Sequence, residues 1–211
     1  MLEHEYTQLG GISRLNVGRW LGMISAMVSA AIVFVLLWSV NLAQSMGLPV
    51  NLPPSLLSLV GAGVVFSILA WLLNRHAWRW RLMQLVLQVP DLSGDWTCTG
   101  RTIETNLNPA YDWTGKVTIV QSWDKIRIRL KTDTSASNSK SAALIKDEAD
   151  GWRIFYNYSN EPNIEQTELR THKGFGEILF SKDLRSGAGE YFNGNGRYTF
   201  GTMKLEKIDN G

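Results

Sequence analysis

The sequence predicts two structural classes in one chain. A membrane α-helical hairpin of two transmembrane helices comes first, and an all-β, antiparallel domain of about eight strands closed into a barrel follows. Three observations carry this expectation. No charged side chain occurs between Arg19 and Arg75, a gap covering residues 20–74. Two apolar runs, about 20–40 and 55–73, lie inside that gap. After Pro90 the chain turns to short segments rich in Trp, Tyr, Thr, Val and Ile, punctuated by Gly, Asn, Asp and Ser, which is the texture of strands and turns.

Each apolar run approaches the ~20 residues that a helix needs to cross a hydrocarbon core at about 1.5 Å per residue. Between them, Asn41–Pro54 is polar but uncharged and carries Gly47, Pro49, Pro53 and Pro54, which break a helix and make a turn. A buried hairpin of a soluble protein is the alternative, but helices of that kind show a polar stripe. A cleavable signal peptide fits badly, because a mostly polar stretch precedes the first run and a second span follows it. The expected organisation is a cytoplasmic N-terminal segment (1–19), the hairpin (20–74), a basic and aromatic interfacial linker (75–90) and a cytoplasmic β-barrel domain (91–211).

Charge orients the hairpin. Residues 1–90 carry Arg14, Arg19, Arg75, Arg79 and Arg81 against Glu3 and Glu5, a net of +3. Residues 91–211 carry 16 basic and 17 acidic side chains, a net of −1. The arginines lie on the outer flanks of the hairpin and the connecting loop has no charge, so the positive-inside rule places both termini in the cytoplasm. The cluster Arg75-His76-Ala77-Trp78-Arg79-Trp80-Arg81 interleaves cations with indoles, a mixture that anchors a helix at the headgroup layer. A nucleic-acid patch is the rival reading. Its position directly after a span favours the lipid bilayer as partner, with no nucleic acid. The single cysteine, Cys98, excludes an intramolecular disulfide and any CxxC metal site.

Candidate strands fall near 94–101, 113–122, 125–132, 140–146, 152–159, 166–172, 174–181 and 188–205, the last a hairpin turning at Asn193-Gly194-Asn195-Gly196. Alternation is clearest where Ile126, Ile128 and Leu130 share one face and Arg127, Arg129 and Lys131 the other. Trp152, Ile154, Tyr156 and Tyr158 likewise share a face. About eight short antiparallel strands make a barrel wide enough for one small ligand.

No catalytic arrangement is present in the sequence. His172 is the only histidine after Pro90, and there is no GxSxG or Walker motif. The expectation is a binding protein, not an enzyme, with no cofactor and no metal. The aromatic complement, Trp96, Trp113, Trp123, Trp152, Tyr111, Tyr156, Tyr158, Tyr191 and Tyr198, suits a planar, polar ligand, because aromatic faces stack bases. Core packing is the alternative role for each. Gln121 and Trp123 share parity with Val117 and Ile119, which points an amide and an indole inward. Ser135, Ser137, Ser139 and Ser141 alternate, so an extended segment would place four hydroxyls on one face; a flexible hairpin loop is the other reading. Arg197 has two readings. It pairs with a phosphate, or it stacks on Trp96, because Gly94-Asp95-Trp96 looks like the opening strand of lipocalin-like barrels, where a late arginine closes the barrel on that tryptophan.

An ordered set of segments completes the picture. Two N-terminal spans are followed by Leu92-Ser93-Gly94-Asp95-Trp96, Gln121-Ser122-Trp123, Ser135-Ala136-Ser137-Asn138-Ser139, Tyr156-Asn157-Tyr158-Ser159-Asn160-Glu161-Pro162, His172-Lys173-Gly174 and Gly189-Glu190-Tyr191-Phe192-Asn193. This set resembles the SMODS-associating two-transmembrane, β-strand-rich effectors of bacterial cyclic-oligonucleotide anti-phage signalling, over nearly the whole chain from Trp20. The resemblance implies a bacterial inner-membrane protein whose barrel binds a cyclic dinucleotide, as a regulatory ligand, made by a partner nucleotidyltransferase. It implies that binding drives homo-oligomerisation, membrane disruption and cell death. Gln121, Trp123, Ser135, Tyr156, Tyr158, His172, Tyr191 and Arg197 are the candidate ligand-binding residues. Small residues, Gly18, Gly22, Ser25, Ala26, Ser29 and Ala30 with Gly61-Ala62-Gly63, offer faces for close helix packing. The alternatives are a membrane-tethered lipocalin-like barrel for an apolar small ligand, a structural anchor with a filled barrel, and the same architecture held inactive by its nucleotide.

Overall fold

The structure, a computed structural model, describes residues 3–104, 108–147, 149–166, 170–194 and 197–209. The chain divides into two compact units, Ile12–Trp78 and a second made of Met1–Gly11 with Arg79–Gly211.

The first unit is helical. Its first helix, α1 (Arg14–Ser45), is capped by Ser13, whose side chain accepts from the Asn16 amide at 3.3 Å. At 32 residues it spans ~48 Å, extending past both ends of the expected 20–40. Uncharged Asn41 and Gln44 do not stop it; the reversal comes at Gly47, with φ of 82°. The second apolar run forms α2 (Pro54–Leu59) and α3 (Ala62–Arg75). The break between them leaves the Val60 carbonyl without a helical partner, and Ser29 Oγ of α1 donates to it. Arg14–Ser45 and Ser55–Arg75 are long and apolar enough to cross a membrane, and Phe34, Trp38, Ile68 and Trp71 among their side chains are exposed.

The second unit contains the short helix α4 (Arg81–Leu87) and nine strands: β1 (His4–Leu9), β2 (Gly94–Ile103), β3 (Pro109–Gln121), β4 (Lys125–Lys131), β5 (Ser135–Asp147), β6 (Gly151–Pro162), β7 (His172–Phe180), β8 (Ser186–Asn193) and β9 (Phe200–Lys207). Neighbours follow the order β1-β4-β3-β2-β9-β8-β7-β6-β5, and β4 also pairs with β5. All pairings are antiparallel except β1 with β5, which is parallel over Tyr6–Leu9 and Ala142–Ile145. The count therefore exceeds the expected eight by a strand drawn from the N-terminal segment. His4-Glu5-Tyr6-Thr7-Gln8-Leu9 buries only Tyr6, too little apolar periodicity to be legible. Residues 164–165 form a turn and residues 170–171 no strand, so 166–172 does not provide the expected one; residues 167–169 lie outside the described residues. The 188–205 segment resolves into β8 and β9, and Asn195-Gly196 of its expected turn also lies outside the described residues.

Inside the sheet, the two ends differ. One end is packed solid by Trp96, Cys98, Ile119, Ile154, Ile178 and Phe180, all at most 2 % exposed. Trp96 and Phe180 meet there with ring centroids 5.0 Å apart. The other end holds a cavity.

Candidate functional site

Aromatic–glycine pairing across strands builds the cavity. In register, Trp113 faces Gly100, Tyr158 faces Gly174, Tyr156 faces Gly176 and Tyr191 faces Gly201. Each ring lies over the strip of backbone where its partner has no side chain. A Cβ placed on Gly176 would sit 2.7 Å from Tyr156 Cζ, and one on Gly201 would sit 2.7 Å from the Tyr191 hydroxyl oxygen. Glycine thus lets four large rings tuck against the wall and leaves the middle open.

The opening has a volume of about 120 Å³, comparable with the ~150 Å³ cavity that holds a single benzene ring. Ser135, Tyr156, Tyr158, His172, Tyr191 and Arg197, six of the eight candidate residues, line it. Its hydroxyls are partly committed. Tyr191 Oη lies 2.8 Å from Thr102 Oγ1 and accepts from Trp113 Nε1 at 3.0 Å, while Tyr158 donates to Asn193 Oδ1 at 2.8 Å. Burial, the largest cause in each case, pushes the Tyr156, Tyr158 and Tyr191 phenols above their ordinary range, so all three remain protonated donors. His172 is 5 % exposed. Its Nδ1 donates to the Arg170 carbonyl at 3.1 Å, which leaves Nε2 as the unprotonated ring nitrogen of the neutral imidazole.

Arg197 sits at the mouth. It donates to the Tyr111 hydroxyl, with its guanidinium carbon 6.0 Å from that ring's centre. Its charge reaches inward, acting on Tyr158, Tyr191 and His172. The cation over Trp96 is Lys207 instead, with Nζ 5.2 Å from the ring centre. The place over Trp96 considered for Arg197 is therefore taken by a lysine at the end of β9.

Two candidates do not reach the cavity. Gln121 is buried, but at the far end of β3. Its Oε1 accepts from the Leu92 amide at 2.8 Å and its Nε2 donates to the Pro90 carbonyl at 3.0 Å, clamping the segment that enters β2. Trp123 is buried in the turn after it. Parity turned Gln121 inward, whereas Trp123 lies beyond the end of β3 and its burial comes from the turn. Period two fixes the face of a strand and not the height along it, and Gln121 lies eight residues beyond Trp113, ~27 Å in an extended strand.

The serine run splits. Ser135 and Ser137 line the cavity, and Ser139 is buried, accepting from the Ile128 amide at 2.9 Å and meeting His4 Nε2 at 2.7 Å. A bulge between Ser139 and Ser141 then reverses the phase, so Ser141 is exposed and bonded by Asn157. Asn160, Asn193 and Thr102 also line the cavity without having been candidates. Asn160 was the legible one, because it continues the Tyr156–Tyr158 parity.

Comparison with known proteins decides the family. A family model described as the Cap15 cyclic dinucleotide receptor domain matches residues 87–207, and one described as the Cap15 TM helices matches residues 15–79. The chain belongs to the Cap15 family. It is 36 % identical over 210 residues to CD-NTase-associated protein 15 of Yersinia aleksiciae, covering 99 % of both chains. It is 25 % identical over 138 residues to the protein of the same name from Staphylococcus schleiferi, covering 64 % of this chain and 70 % of that one. The receptor description denotes a binding domain and indicates no catalytic activity. In this Cap15 chain the matched receptor region contains the whole cavity. The lining is mainly hydroxyl, amide and aromatic, with Leu130 and Met203 as its aliphatic members, which departs from the apolar lining that a lipocalin-like carrier requires.

Proposed function

We propose that the chain is an inner-membrane effector of bacterial anti-phage defence, in which a cyclic dinucleotide bound in this cavity switches the helical hairpin to membrane disruption. The observation that carries the reading is the cavity itself: stacking rings, protonated hydroxyls and one mouth arginine, inside the region matched by a cyclic dinucleotide receptor model. The ligand acts as a regulator, not as a cofactor. The name of the relatives, CD-NTase-associated protein, supports a functional link to a nucleotidyltransferase that makes it.

The shape that fits this role is a closed barrel of eight strands, β2 to β9, with β1 inserted between β4 and β5. Two hydrogen-bonded neighbours for every strand support it. Both termini lie in the cytoplasm, supported by arginines on the outer flanks of an uncharged hairpin. Residues 75–90 hold the barrel at the headgroup layer, supported by exposed Trp80, Leu82 and Leu85 beside Arg75 and Arg81. Two short spans make no pore alone, so disruption requires ligand-driven homo-oligomerisation, with small residues on α1 and α3 allowing close helix contacts.

The direct test is thermal unfolding of the full chain in detergent with a panel of cyclic dinucleotides. A ligand at 100 times its Kd adds about 2.7 kcal/mol of stability; a panel giving no shift sinks the receptor reading. In cells, replacing Gly18, Gly22 and Gly63 by Leu is expected to abolish toxicity and preserve binding. Toxicity surviving deletion of both spans overturns the membrane mechanism.

A further inference from the structure

Three neutral polar side chains form a row across the cavity wall. Ser137 on β5 faces Asn160 on β6, and Asn160 faces His172 on β7. All three are buried, at 8 %, 7 % and 5 % exposure. Among the described residues, neither the Asn160 amide nor the Ser137 hydroxyl has a hydrogen-bond partner, and the Tyr156 hydroxyl has none either. Their polar atoms are not sealed from solvent but open to the cavity. Three such groups at a single opening are placed to exchange water for a ligand that supplies both donors and acceptors.

The charges are distributed differently. Among the described residues lining the cavity, Arg197 is the only one with a permanent charge, and it stands at the mouth. A phosphate carried to the Ser137–Asn160–His172 row would lose its hydration among neutral side chains, reached by the Arg197 charge only from the mouth. A nucleobase meets no such penalty, has flat faces for the tyrosines, and matches an opening of about 120 Å³, well below the ~300 Å³ at which pockets begin to enclose a whole small ligand. An amide presents one donor side and one acceptor side in a plane, the geometry that reads a base edge in pairs.

Resting on the receptor reading above, we propose that the cavity admits one base of a cyclic dinucleotide, that Asn160, supported by Ser137, reads the edge of that base, and that Arg197 holds the ring phosphate outside. Asn160 is then the specificity-determining residue and Arg197 the general affinity residue.

The test uses the full chain in detergent and a panel of cyclic dinucleotides that share one phosphate linkage and differ only in base: cyclic di-adenylate, di-guanylate, di-uridylate and the mixed pairs. The wild type is expected to separate the best from the worst member by tenfold or more. Asn160→Asp exchanges a donor for an acceptor at constant shape and adds a charge that weakens every member alike, so a reordered panel, not a lower mean affinity, is the expected signal. Arg197→Gln is expected to weaken every member by a similar factor and to reduce the salt dependence. Ser137→Ala, the milder change, keeps the experiment decisive if Asn160→Asp unfolds, and is expected to narrow the spread. Uniform weakening by the Asn160 and Ser137 variants, or reordering by Arg197→Gln, overturns the assignment while leaving the receptor reading intact. Failure of the wild type to bind any member overturns both.

Discussion

Gln8 donates through one amide nitrogen to two successive carbonyls, Leu87 at 3.0 Å and Gln88 at 2.6 Å. Gln88 is in the left-handed region, with φ of 51°, so α4 ends there and its last carbonyls need a donor from elsewhere. The strand that precedes the hairpin thus fastens the segment that follows it. Gln8→Ala is expected to cost about 1–2 kcal/mol, read by denaturant unfolding of the full chain in detergent. Removing residues 1–11 is expected to cost more, since β1 pairs with both β4 and β5. An unfolding midpoint unmoved by that deletion would show that β1 contributes nothing to the sheet.

Gly176 is the most direct handle on the cavity. Gly176→Ala places a methyl 2.7 Å from Tyr156 Cζ, so the ring must leave the wall and enter the opening. The expected cost is about 1–3 kcal/mol of stability together with at least tenfold weaker ligand binding. Calorimetric titration of the folded variant checks this; unchanged affinity would mean that the ring does not border the ligand.

The two cations assigned to separate ends are separable by mutation. Lys207→Ala removes the contact over Trp96 and is expected to cost about 0.5–1 kcal/mol. Trp96→Ala, at a fully buried site, is expected to cost about 3–5 kcal/mol. Arg197→Ala is expected to leave stability within about 0.5 kcal/mol but to impair binding. A large stability loss at Arg197 would show that it, too, holds the sheet together.

His172 gives the cavity a pH signature. Burial above all, with the Arg197 charge, holds its imidazole below the ordinary histidine range, while the Arg170 carbonyl and Asn193 pull the other way. The unfolded chain therefore takes up this proton at higher pH than the folded one. The stability that follows is complete above the unfolded value of about 6.5 and is lost as pH falls below it. His172→Gln is expected to flatten the fall in Tm between pH 7.5 and 5.0. Parallel curves for the two proteins would remove His172 as its source.

Most of the site was legible because alternation is a property of a single strand. Tyr156, Tyr158 and the basic face of Arg127, Arg129 and Lys131 follow directly from period two. The misplacements share one cause. Gln121 has the right face but the wrong end, Ser141 the right spacing but a bulge before it, and of the two readings of Arg197 the one over Trp96 is already taken by a lysine. Each depends on what another strand places opposite, and no single strand carries that information.

By itself the sequence determined the two classes and the direction of the side chains, because an uncharged stretch long enough to cross a bilayer and a two-residue alternation are local properties. Tertiary structure alone decided where the sheet is solid and where it is open. Cross-strand register sets Trp113, Tyr156, Tyr158 and Tyr191 opposite glycines, and a ring beside a missing side chain lies against the wall instead of filling the centre.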